Sequence, residues 1–135
     1  MLDKVFCIDD DTITLMLYKM VIVKATFAKE IISASNGQEA LNYYNKLIEA
    51  KTEGNTITYP SLIFLDLNMP IMSGWEFLDH FTTHIYPHFI DTKVIILSST
   101  IDPEDIKKSK QYPMVLDFLS KPITKGMLEQ LKDSF

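Results

Sequence analysis

The sequence predicts an α/β fold in which helices cover both faces of a five-stranded parallel sheet. Short apolar runs recur along the 135 residues, and segments with helical spacing separate them. Polar residues interrupt these runs only rarely, which is typical of strands that are buried on both faces of a parallel sheet. The predicted strands are Val5–Ile8, Glu30–Ala34, Leu62–Leu65, Val94–Leu97 and Val115–Leu119.

The segments between the strands place apolar residues three or four positions apart, as on one face of a helix. We expect each of these stripes to pack against the sheet. They are Ile13, Met16, Leu17, Met20 and Val21 in the first helix; Leu41, Tyr44 and Ile48 in the second; Phe77, Leu78, Phe81 and Ile85 in the third; and Met127, Leu128 and Leu131 in the last.

The fourth helix is predicted from its first residues and not from an apolar stripe. Asp102 is a candidate N-cap, Pro103 suits the first helical position, and Glu104 is an acid in the first turn. Pro113 bounds the other end. Because Ile106 is nearly the only apolar residue between them, we expect a short, polar and loosely packed helix.

Strand and helix alternate five times, which implies right-handed crossovers between parallel strands. The expected arrangement is a flavodoxin-like doubly wound sheet with strand order 2-1-3-4-5. The polar segment Lys51–Pro60 is predicted to be a surface loop. The length fits one domain and no linker is visible, so we expect residues 1–135 to form a single domain.

Composition excludes some classes of protein. The formal net charge is −5, which disfavours a nucleic-acid-binding surface because such surfaces are basic. Cys7 is the one cysteine, so no internal disulfide can form, and its apolar surroundings predict a small buried side chain in a reducing compartment. No run approaches a membrane span and no signal peptide is visible. We therefore expect a cytoplasmic protein with no membrane insertion.

Polar side chains follow four of the five predicted strands directly. Because ligands bind beyond the carboxyl ends of parallel strands, these side chains are expected to converge on one edge of the sheet. They are Asp9, Asp10 and Asp11 after the first strand, Asp66 after the third, Ser98, Ser99 and Thr100 after the fourth, and Ser120, Lys121 and Pro122 after the fifth.

This set of side chains suits phosphoryl chemistry. Crowded carboxylates repel one another unless a cation offsets their charge, and an oxygen-rich site favours Mg²⁺. Lys121 and the Ser98 hydroxyl could hold phosphoryl oxygens, while an aspartate such as Asp66 can act as a nucleophile. Each feature alone also has a plainer explanation, as a helix cap, a turn or a solvated acid. Their common position at one edge favours a functional site.

These residues resemble those of the bacterial response-regulator receiver family. The resemblance extends from Val5 to about Leu131. Its most specific part is Leu65–Gly74 (LDLNMPIMSG), where an aspartate is followed by Met-Pro and then glycine. The segments Ile8–Asp11, Leu97–Ser99 and Phe118–Pro122 match at the ends of the other strands, in the same order and spacing.

The resemblance implies roles for individual residues at the acidic edge. Asp66 is the implied phosphoacceptor. The implied cofactor is Mg²⁺, with Mn²⁺ as a second ion that could serve. Asp10 and Asp66 would bind it directly, Asp9 largely through a water, and Asn68 through its backbone carbonyl. Asp11 matches no ligand position and is interpreted as a helix-capping or surface acid.

The resemblance also implies how the site is used. Lys121 would contact the phosphoryl group, and its peptide bond to Pro122 is expected to be cis. Ser98 would be the switch hydroxyl. Phe118 would turn inward in response and alter the surface of the fourth helix, fifth strand and fifth helix. Many family members carry tyrosine there, so coupling through Phe118 would depend on packing alone, and core packing is its plainer role. Thr100, with Asn68, occupies a position that tunes dephosphorylation.

The implied function is a phosphorylation-activated signalling switch and not a metabolic enzyme. It would take its phosphoryl group from a histidine kinase or histidine phosphotransfer protein, catalyse its own phosphotransfer and dephosphorylation, and act on a downstream protein target. The alternatives are a receiver excised from a hybrid kinase or longer regulator, a receiver that is not phosphorylated, and an aspartate-nucleophile phosphatase. The phosphatase would need a second aspartate where Asn68 stands. Trp75 is assigned to helix packing, and His80 and His84 are expected to face solvent.

Overall fold

The computed structural model describes residues 1–135 and contains one five-stranded sheet of order β2-β1-β3-β4-β5. All neighbouring strands run parallel, which confirms the predicted flavodoxin-like fold. The strands are β1 Leu2–Ile8, β2 Ala28–Ala34, β3 Leu62–Asp66, β4 Lys93–Ser98 and β5 Val115–Ser120. The helices are α1 Thr12–Lys24, α2 Gly37–Thr52, α3 Gly74–His80, α4 Pro103–Ser109 and α5 Lys125–Leu131.

The sheet has two packed faces because successive residues of a strand point to opposite sides. In β1, Phe6 and Ile8 join one apolar cluster, while Val5 and Cys7 join the other. The first cluster lies under α2 and α3, and the second lies under α1 and α5. Each large side chain so buried contributes about 1.5–3 kcal/mol of transfer free energy. These two clusters fix the positions of the strand ends that form the site.

The expectation of burial on both faces holds for the central strands only. Every residue of β3 is buried, and β4 is buried except for partial exposure at Lys93. Strands β2 and β5 contain several exposed or half-buried residues. They lie at the two edges of the sheet, where one side has no neighbouring strand. An apolar run alone does not distinguish an edge strand from a central one.

The predicted inward stripe of α1 is wrong. Ile13 and Met16 are 67% and 63% exposed, Leu17 and Met20 are also exposed, and Val21 is half-buried. The buried residues are instead Leu15, Tyr18 and Ile22, which also follow helical spacing. Because α1 carries apolar residues on nearly every side, periodicity did not determine which side faces the sheet. Packing selected the second stripe and left an apolar surface facing solvent.

The predicted apolar stripes of the second, third and last helices are confirmed, and an irregular turn follows the third helix. Leu41 and Tyr44 of α2, and Leu128 and Leu131 of α5, are buried, and Ile48 and Met127 pack partly buried at the margins. All four apolar residues of the third stripe are buried. The chain leaves α3 through a π-helical turn at Phe81–Ile85, followed by a short 3-10 turn. The sequence did not predict this irregularity.

The fourth helix has the predicted N-cap and few buried residues, whereas the polar loop before β3 is shorter than predicted. The Asp102 side chain accepts from the Glu104 backbone N–H at 2.9 Å, and Ser109 is the only buried residue of α4. Helix α2 continues to Thr52, so the loop before β3 is shorter than predicted. Pro60 is buried at its end. None of the helices is long and apolar enough to cross a membrane.

Candidate functional site

The carboxyl ends of β1 and β3 bring two aspartates together beside one lysine. Ile8 and Leu65 are paired across the two strands, so Asp9 and Asp66 follow at neighbouring positions. Lys121 Nζ lies 2.7 Å from Asp9 Oδ2 and 3.1 Å from Asp66 Oδ1. The two aspartates are only 1% and 5% exposed. The predicted convergence of these three side chains is confirmed.

The turn between β1 and α1 fixes the orientation of Asp9. Its Oδ1 accepts a hydrogen bond from the Asp11 backbone N–H at 3.0 Å. Asp11 is the N-cap of α1, and its Oδ1 accepts from the N–H groups of Ile13 and Thr14 at 2.9 and 3.3 Å. This confirms the capping role predicted for Asp11. Asp9 therefore accepts a hydrogen bond from the Asp11 backbone on Oδ1 and one from Lys121 on Oδ2.

Backbone contacts between β4 and β5 position the lysine. The Lys121 backbone N–H donates to the Ser98 carbonyl oxygen at 2.8 Å, directly after β5 ends at Ser120. The peptide bond between Lys121 and Pro122 is cis, as expected. The ammonium therefore reaches the acidic edge from the far side of β4.

The surroundings of Asp66 disfavour the ionised form of its carboxyl group. Burial, and then the negative charge of Asp9, raise the pKa of Asp66, although Lys121 and the Asn68 backbone N–H act in the opposite direction. Burial lowers the pKa of Lys121, but its bonds to the two aspartates outweigh that effect and raise it. The lysine is thus charged at neutral pH, and one ammonium does not balance the carboxylates around it.

A third carboxylate completes a group that could bind a metal ion. One oxygen each of Asp9, Asp10 and Asp66 lie within 4.8 Å of one another, and Asp10 is exposed while the other two are buried. Hard oxygen donors with excess negative charge are what Mg²⁺ and Mn²⁺ prefer, and an open side allows the ion to keep waters. The residues present therefore fit a divalent cation.

The remaining predicted site residues lie around this centre. Ser98 is 1% exposed, and its Oγ accepts from the Thr100 backbone N–H at 3.3 Å. The side chains of Thr100 and Asn68 are exposed. Phe118 is half-buried and packs against the cluster under α2 and α3, further back along β5. Ser98 is therefore adjacent to the lysine segment, whereas Phe118 lies two residues before the end of β5.

Residues 5–132 match the family model described as the response regulator receiver domain. This chain belongs to that family. Among solved structures, a two component response regulator from Cytophaga hutchinsonii is 35% identical, with a TM-score of 0.87 over 98% of this chain and 96% of that one. The chemotaxis protein CheY4 of Vibrio cholerae shares the fold at 22% identity, with a TM-score of 0.71 over 99% of this chain and 98% of that one.

Curated relatives are longer than this receiver chain. An uncharacterized response regulatory protein of Staphylococcus epidermidis is 32% identical over 96% of this chain, which corresponds to 44% of that protein. A protein-glutamate methylesterase/protein-glutamine glutaminase of Geobacter sulfurreducens is 29% identical over 95% of this chain and 30% of its own length. The chain thus spans less than half of these relatives.

Gly74 has a positional role that sequence reasoning did not assign. A Cβ atom at Gly74 would lie 2.5 Å from the Asp66 carbonyl oxygen and 2.8 Å from Leu67 Cα, so only glycine fits. The Gly74 N–H also donates to the Leu67 carbonyl at 2.9 Å. Ser73 and Glu76 form a capping box at the same point. In this receiver the start of α3 therefore rests directly on the backbone at the end of β3.

Near α3, Trp75 packs against neighbouring side chains, and two histidines are exposed to solvent. Trp75 stacks on Tyr112 at 5.9 Å, and the Lys108 ammonium lies 4.6 Å from the Trp75 ring centre. This confirms helix packing for Trp75. His80 and His84 are exposed, and no third His, Cys, Asp or Glu joins them in a potential metal group.

Proposed function

We propose that this chain is a phosphorylation-activated signalling switch that accepts a phosphoryl group on Asp66. The donor would be a histidine kinase or a histidine phosphotransfer protein. The observation that carries the proposal is the pairing of Lys121 with both Asp66 and Asp9 beside the exposed Asp10. It supplies a nucleophile, a cation for the phosphoryl oxygens and a set of metal ligands within one small site.

Asp66 is a better nucleophile than its neighbours. Both oxygens of Asp9 are engaged, by the Asp11 backbone and by Lys121. Asp10 is exposed and lacks a cationic partner. Asp66 is buried at the end of a rigid strand, and its raised pKa reflects a carboxylate that is poorly stabilised by its surroundings. Such a group gains most when reaction or ion binding reduces its negative charge.

The transfer step exchanges one bond to phosphorus for another. An Asp66 carboxylate oxygen attacks the phosphorus of the donor phosphohistidine, the phosphorus–nitrogen bond breaks, and its electron pair remains on the imidazole nitrogen. Lys121 turns from the carboxylate to a phosphoryl oxygen, and the Ser98 hydroxyl donates to another. Bound Mg²⁺ or Mn²⁺ would neutralise charge on the transferring group. Its proposed ligands are Asp10 and Asp66 directly, Asp9 through water, and the Asn68 carbonyl.

Hydrolysis would return the switch to its resting state. Water attacks the phosphorus at the exposed side of the site, the bond between phosphorus and the Asp66 oxygen breaks, and inorganic phosphate leaves while the carboxylate is restored. The domain would thus catalyse its own dephosphorylation. The side chains of Asn68 and Thr100 are exposed at the ends of β3 and β4, where they can order or exclude that water. We propose that these two residues tune the lifetime of the phosphoryl group.

The proposed output is a change of the surface formed by α4, β5 and α5. Helix α4 buries a single residue, so little apolar packing resists its displacement. A small cavity beside Phe118 gives that ring space to move when Ser98 is drawn toward the phosphoryl group. The cavity is lined by Ile106, Ser109, Lys110, Val115, Leu116, Asp117 and Phe118. A downstream protein target would read the altered surface.

The exposed apolar face of α1 is the proposed contact for the phosphodonor protein. Its first residue is Ile13, two positions after Asp11 and next to the acidic site in the chain. Exposed apolar patches commonly mark protein contacts. Residues 1–135 would act as a single receiver domain in a reducing compartment such as the cytoplasm. The same domain could equally belong to a hybrid kinase or longer regulator, as the length of the curated relatives suggests.

Labelling with acetyl phosphate tests the phosphoacceptor assignment. With Mg²⁺, the wild-type protein is expected to incorporate phosphate that is labile to acid and to hydroxylamine, and Asp66→Asn to incorporate none. Asp11→Asn is the matched control, because it removes a nearby acid that caps α1 and should label normally. Full labelling of Asp66→Asn would contradict the proposal.

Titration with Mg²⁺, followed by amide NMR shifts, tests the metal ligands. We expect Asp10→Ala to weaken binding by at least tenfold, since it removes a direct carboxylate ligand. Asp11→Ala should bind Mg²⁺ as the wild type does, despite a weakened helix cap. Equal effects of the two substitutions would contradict the assigned ligands.

A further inference from the structure

Two exposed histidines lie side by side where α3 passes into the π-helical turn. His80 is the last residue of α3, and His84 lies four positions later in the turn Phe81–Ile85. Residues four apart are neighbours on a helix surface. The two ring centres lie 6.1 Å apart, and the ring planes are 31° from parallel. The phosphotransfer site uses neither ring.

The separation of the two rings suits one metal ion between them. A ring nitrogen binds Zn²⁺ at about 2.1 Å, so an ion shared by two imidazoles places the ring centres about 5–6 Å apart. The observed separation is close to this range, and small rotations of the exposed side chains of His80 and His84 would complete the pair. Imidazole suits Zn²⁺ and similar transition metals, whereas Mg²⁺ prefers oxygen. The pair therefore differs in chemistry from the carboxylates at the acidic edge.

The π-helical turn fixes the position of His84. The Tyr86 backbone N–H donates to the Phe81 carbonyl, five residues back. The hydroxyls of Thr82 and Thr83 donate to backbone carbonyls four residues back, at 2.7 and 3.0 Å. These side-chain bonds supply partners where the α-helical pattern is interrupted. Turns of this kind are rare and occur frequently at functional sites.

Polar space on both sides of the pair admits a hydrated ion. A cavity of about 160 Å³ separates the two rings from α2, where Leu41 and Asn45 line it. It has room for an ion with several waters, and the Asn45 amide can hydrogen-bond to such a water. A cleft on the other side is lined by Asp79 and Thr83, with no apolar residue. Asp79 adds negative charge beside the pair, although no carboxylate joins the two rings as a third direct ligand.

We propose that His80 and His84 form a second metal site, which binds a transition-metal dication such as Zn²⁺. Each histidine supplies one ring nitrogen, and waters complete the coordination. The site lies away from the acidic edge, because α3 begins against the backbone of Asp66 at Gly74. A rise of about 1.5 Å per residue places His80 about 9 Å further along the helix. The bound ion would link the end of α3 to the π-helical turn.

His88 provides a matched control with the same spacing in the sequence. It follows His84 by four residues and is also exposed, but it lies beyond the π-helical turn, in the 3-10 turn Tyr86–His88. It lines neither cavity, and its ring lies 6.2 Å from that of Phe89. Spacing alone would pair His84 with His88 as readily as with His80, and only the structure selects between them.

The first experiment is a calorimetric titration of the whole chain with Zn²⁺ in a buffer that contains excess Mg²⁺. The wild type should bind one Zn²⁺ at the histidine pair. His80→Ala and His84→Ala should each weaken this binding by at least about tenfold, since each removes a direct ligand. His88→Ala should bind like the wild type. Unchanged affinity in His80→Ala or His84→Ala would overturn the proposal.

The second experiment measures thermal unfolding as a function of Zn²⁺ concentration. An ion that binds only the folded chain raises the folding equilibrium constant, by about a hundredfold when the free ion is at a hundred times its Kd. The wild type and His88→Ala should show this rise, and His80→Ala and His84→Ala should not. If either alanine variant does not fold, His80→Gln or His84→Gln takes its place. An equal rise in all four proteins would overturn the proposal.

The inference is independent of the phosphotransfer function proposed above, and Asp66→Asn separates the two. This variant should bind Zn²⁺ as the wild type does, and a loss of Zn²⁺ binding in it would place the ion at the acidic edge and overturn the inference. A wild type that takes no label but binds Zn²⁺ through the histidines contradicts only the phosphotransfer function. A wild type that labels normally, with Zn²⁺ binding that needs neither histidine, contradicts only the inference.

Discussion

Strand β3 runs from the apolar interior of the domain to its charged carboxyl edge, and burial has opposite energetic effects in these two regions. Its first four residues, Leu62–Leu65, are apolar and fully buried, and they lie between the two clusters that stabilise the sheet. Its last residue, Asp66, is almost as buried but carries a charge close to a second carboxylate. The interior lowers the free energy of the fold, whereas the carboxyl edge raises it, and both depend on the same rigid strand.

The difference shows how this domain separates stability from chemistry. In the interior, size and shape decide which residues are tolerated. At the edge, the chemical group of the side chain decides which residues are tolerated. Asp66, Asp9 and Lys121 each provide a carboxylate or an ammonium that no neighbouring residue could replace. Loss of a large apolar side chain from the interior should therefore lower stability, whereas loss of the Asp66 charge at the edge should raise it.

The largest expected effect is in the interior. Phe77 of α3 is fully buried and its ring packs 5.6 Å from that of Phe81. Phe77→Ala should lower the free energy of unfolding by about 3–5 kcal/mol, since it leaves a cavity under α3. Urea unfolding measures this change. Ile13→Ala, on the exposed face of α1, is the control and should change stability by less than about 0.5 kcal/mol.

Gly74 tests the contact between interior and edge. Gly74→Ala should lower the free energy of unfolding by about 1–3 kcal/mol, because its Cβ would overlap the backbone of Asp66 and Leu67. It should also slow labelling by acetyl phosphate. Gly126→Ala in α5, where the nearest atom to a Cβ is 3.8 Å away, should instead stabilise by about 0.5–1 kcal/mol. Similar losses in both variants would contradict the assigned contact.

Removal of the Asp66 carboxylate at the edge should raise the free energy of unfolding, and the size of this change should depend on pH. Because the native pKa of Asp66 is raised above its ordinary value of 3.8, the native state binds this proton more tightly than the unfolded chain. The stability of the wild type therefore falls as pH rises through the interval between the two values.

Asp66→Asn lacks this dependence, so it should exceed the wild type in stability at pH 7. The advantage should shrink as pH falls toward 3.8. Urea unfolding of both proteins between pH 4 and pH 7 checks this. A less stable Asp66→Asn at pH 7 would mean that the pairing of Asp66 with Lys121 outweighs its burial.

The smallest expected effect on stability is on the outer face of α1. Leu17 is 47% exposed, so Leu17→Gln should change the free energy of unfolding by less than about 0.5 kcal/mol. If this face contacts the phosphodonor, transfer from a phosphorylated phosphotransfer protein should slow severalfold while labelling by acetyl phosphate stays unchanged. Equal slowing of both reactions would place the effect at Asp66 instead.

Most of the fold and of the site followed from sequence patterns. The five apolar runs predicted the strands to within a few residues, and the alternation with helices predicted their order. The positions of the strand ends then predicted that Asp9, Asp66 and Lys121 lie at one edge of the sheet. These predictions succeed because parallel topology constrains where each strand must end.

What the sequence missed depends on three-dimensional packing. The apolar stripe of α1 was assigned to the wrong side because a helix that is apolar all around has more than one stripe of helical spacing. The half-exposed character of β2 and β5 comes from their position at the sheet edges.

The sequence by itself determined the elements, their order and the chemical groups at the carboxyl edge, since hydrophobic periodicity and strand ends are local features. Tertiary structure alone decided that one lysine contacts two buried aspartates, that Gly74 must lack a side chain, and that α1 turns an apolar face to solvent. These outcomes depend on distances between residues far apart in the chain, which only the packing of both core clusters defines.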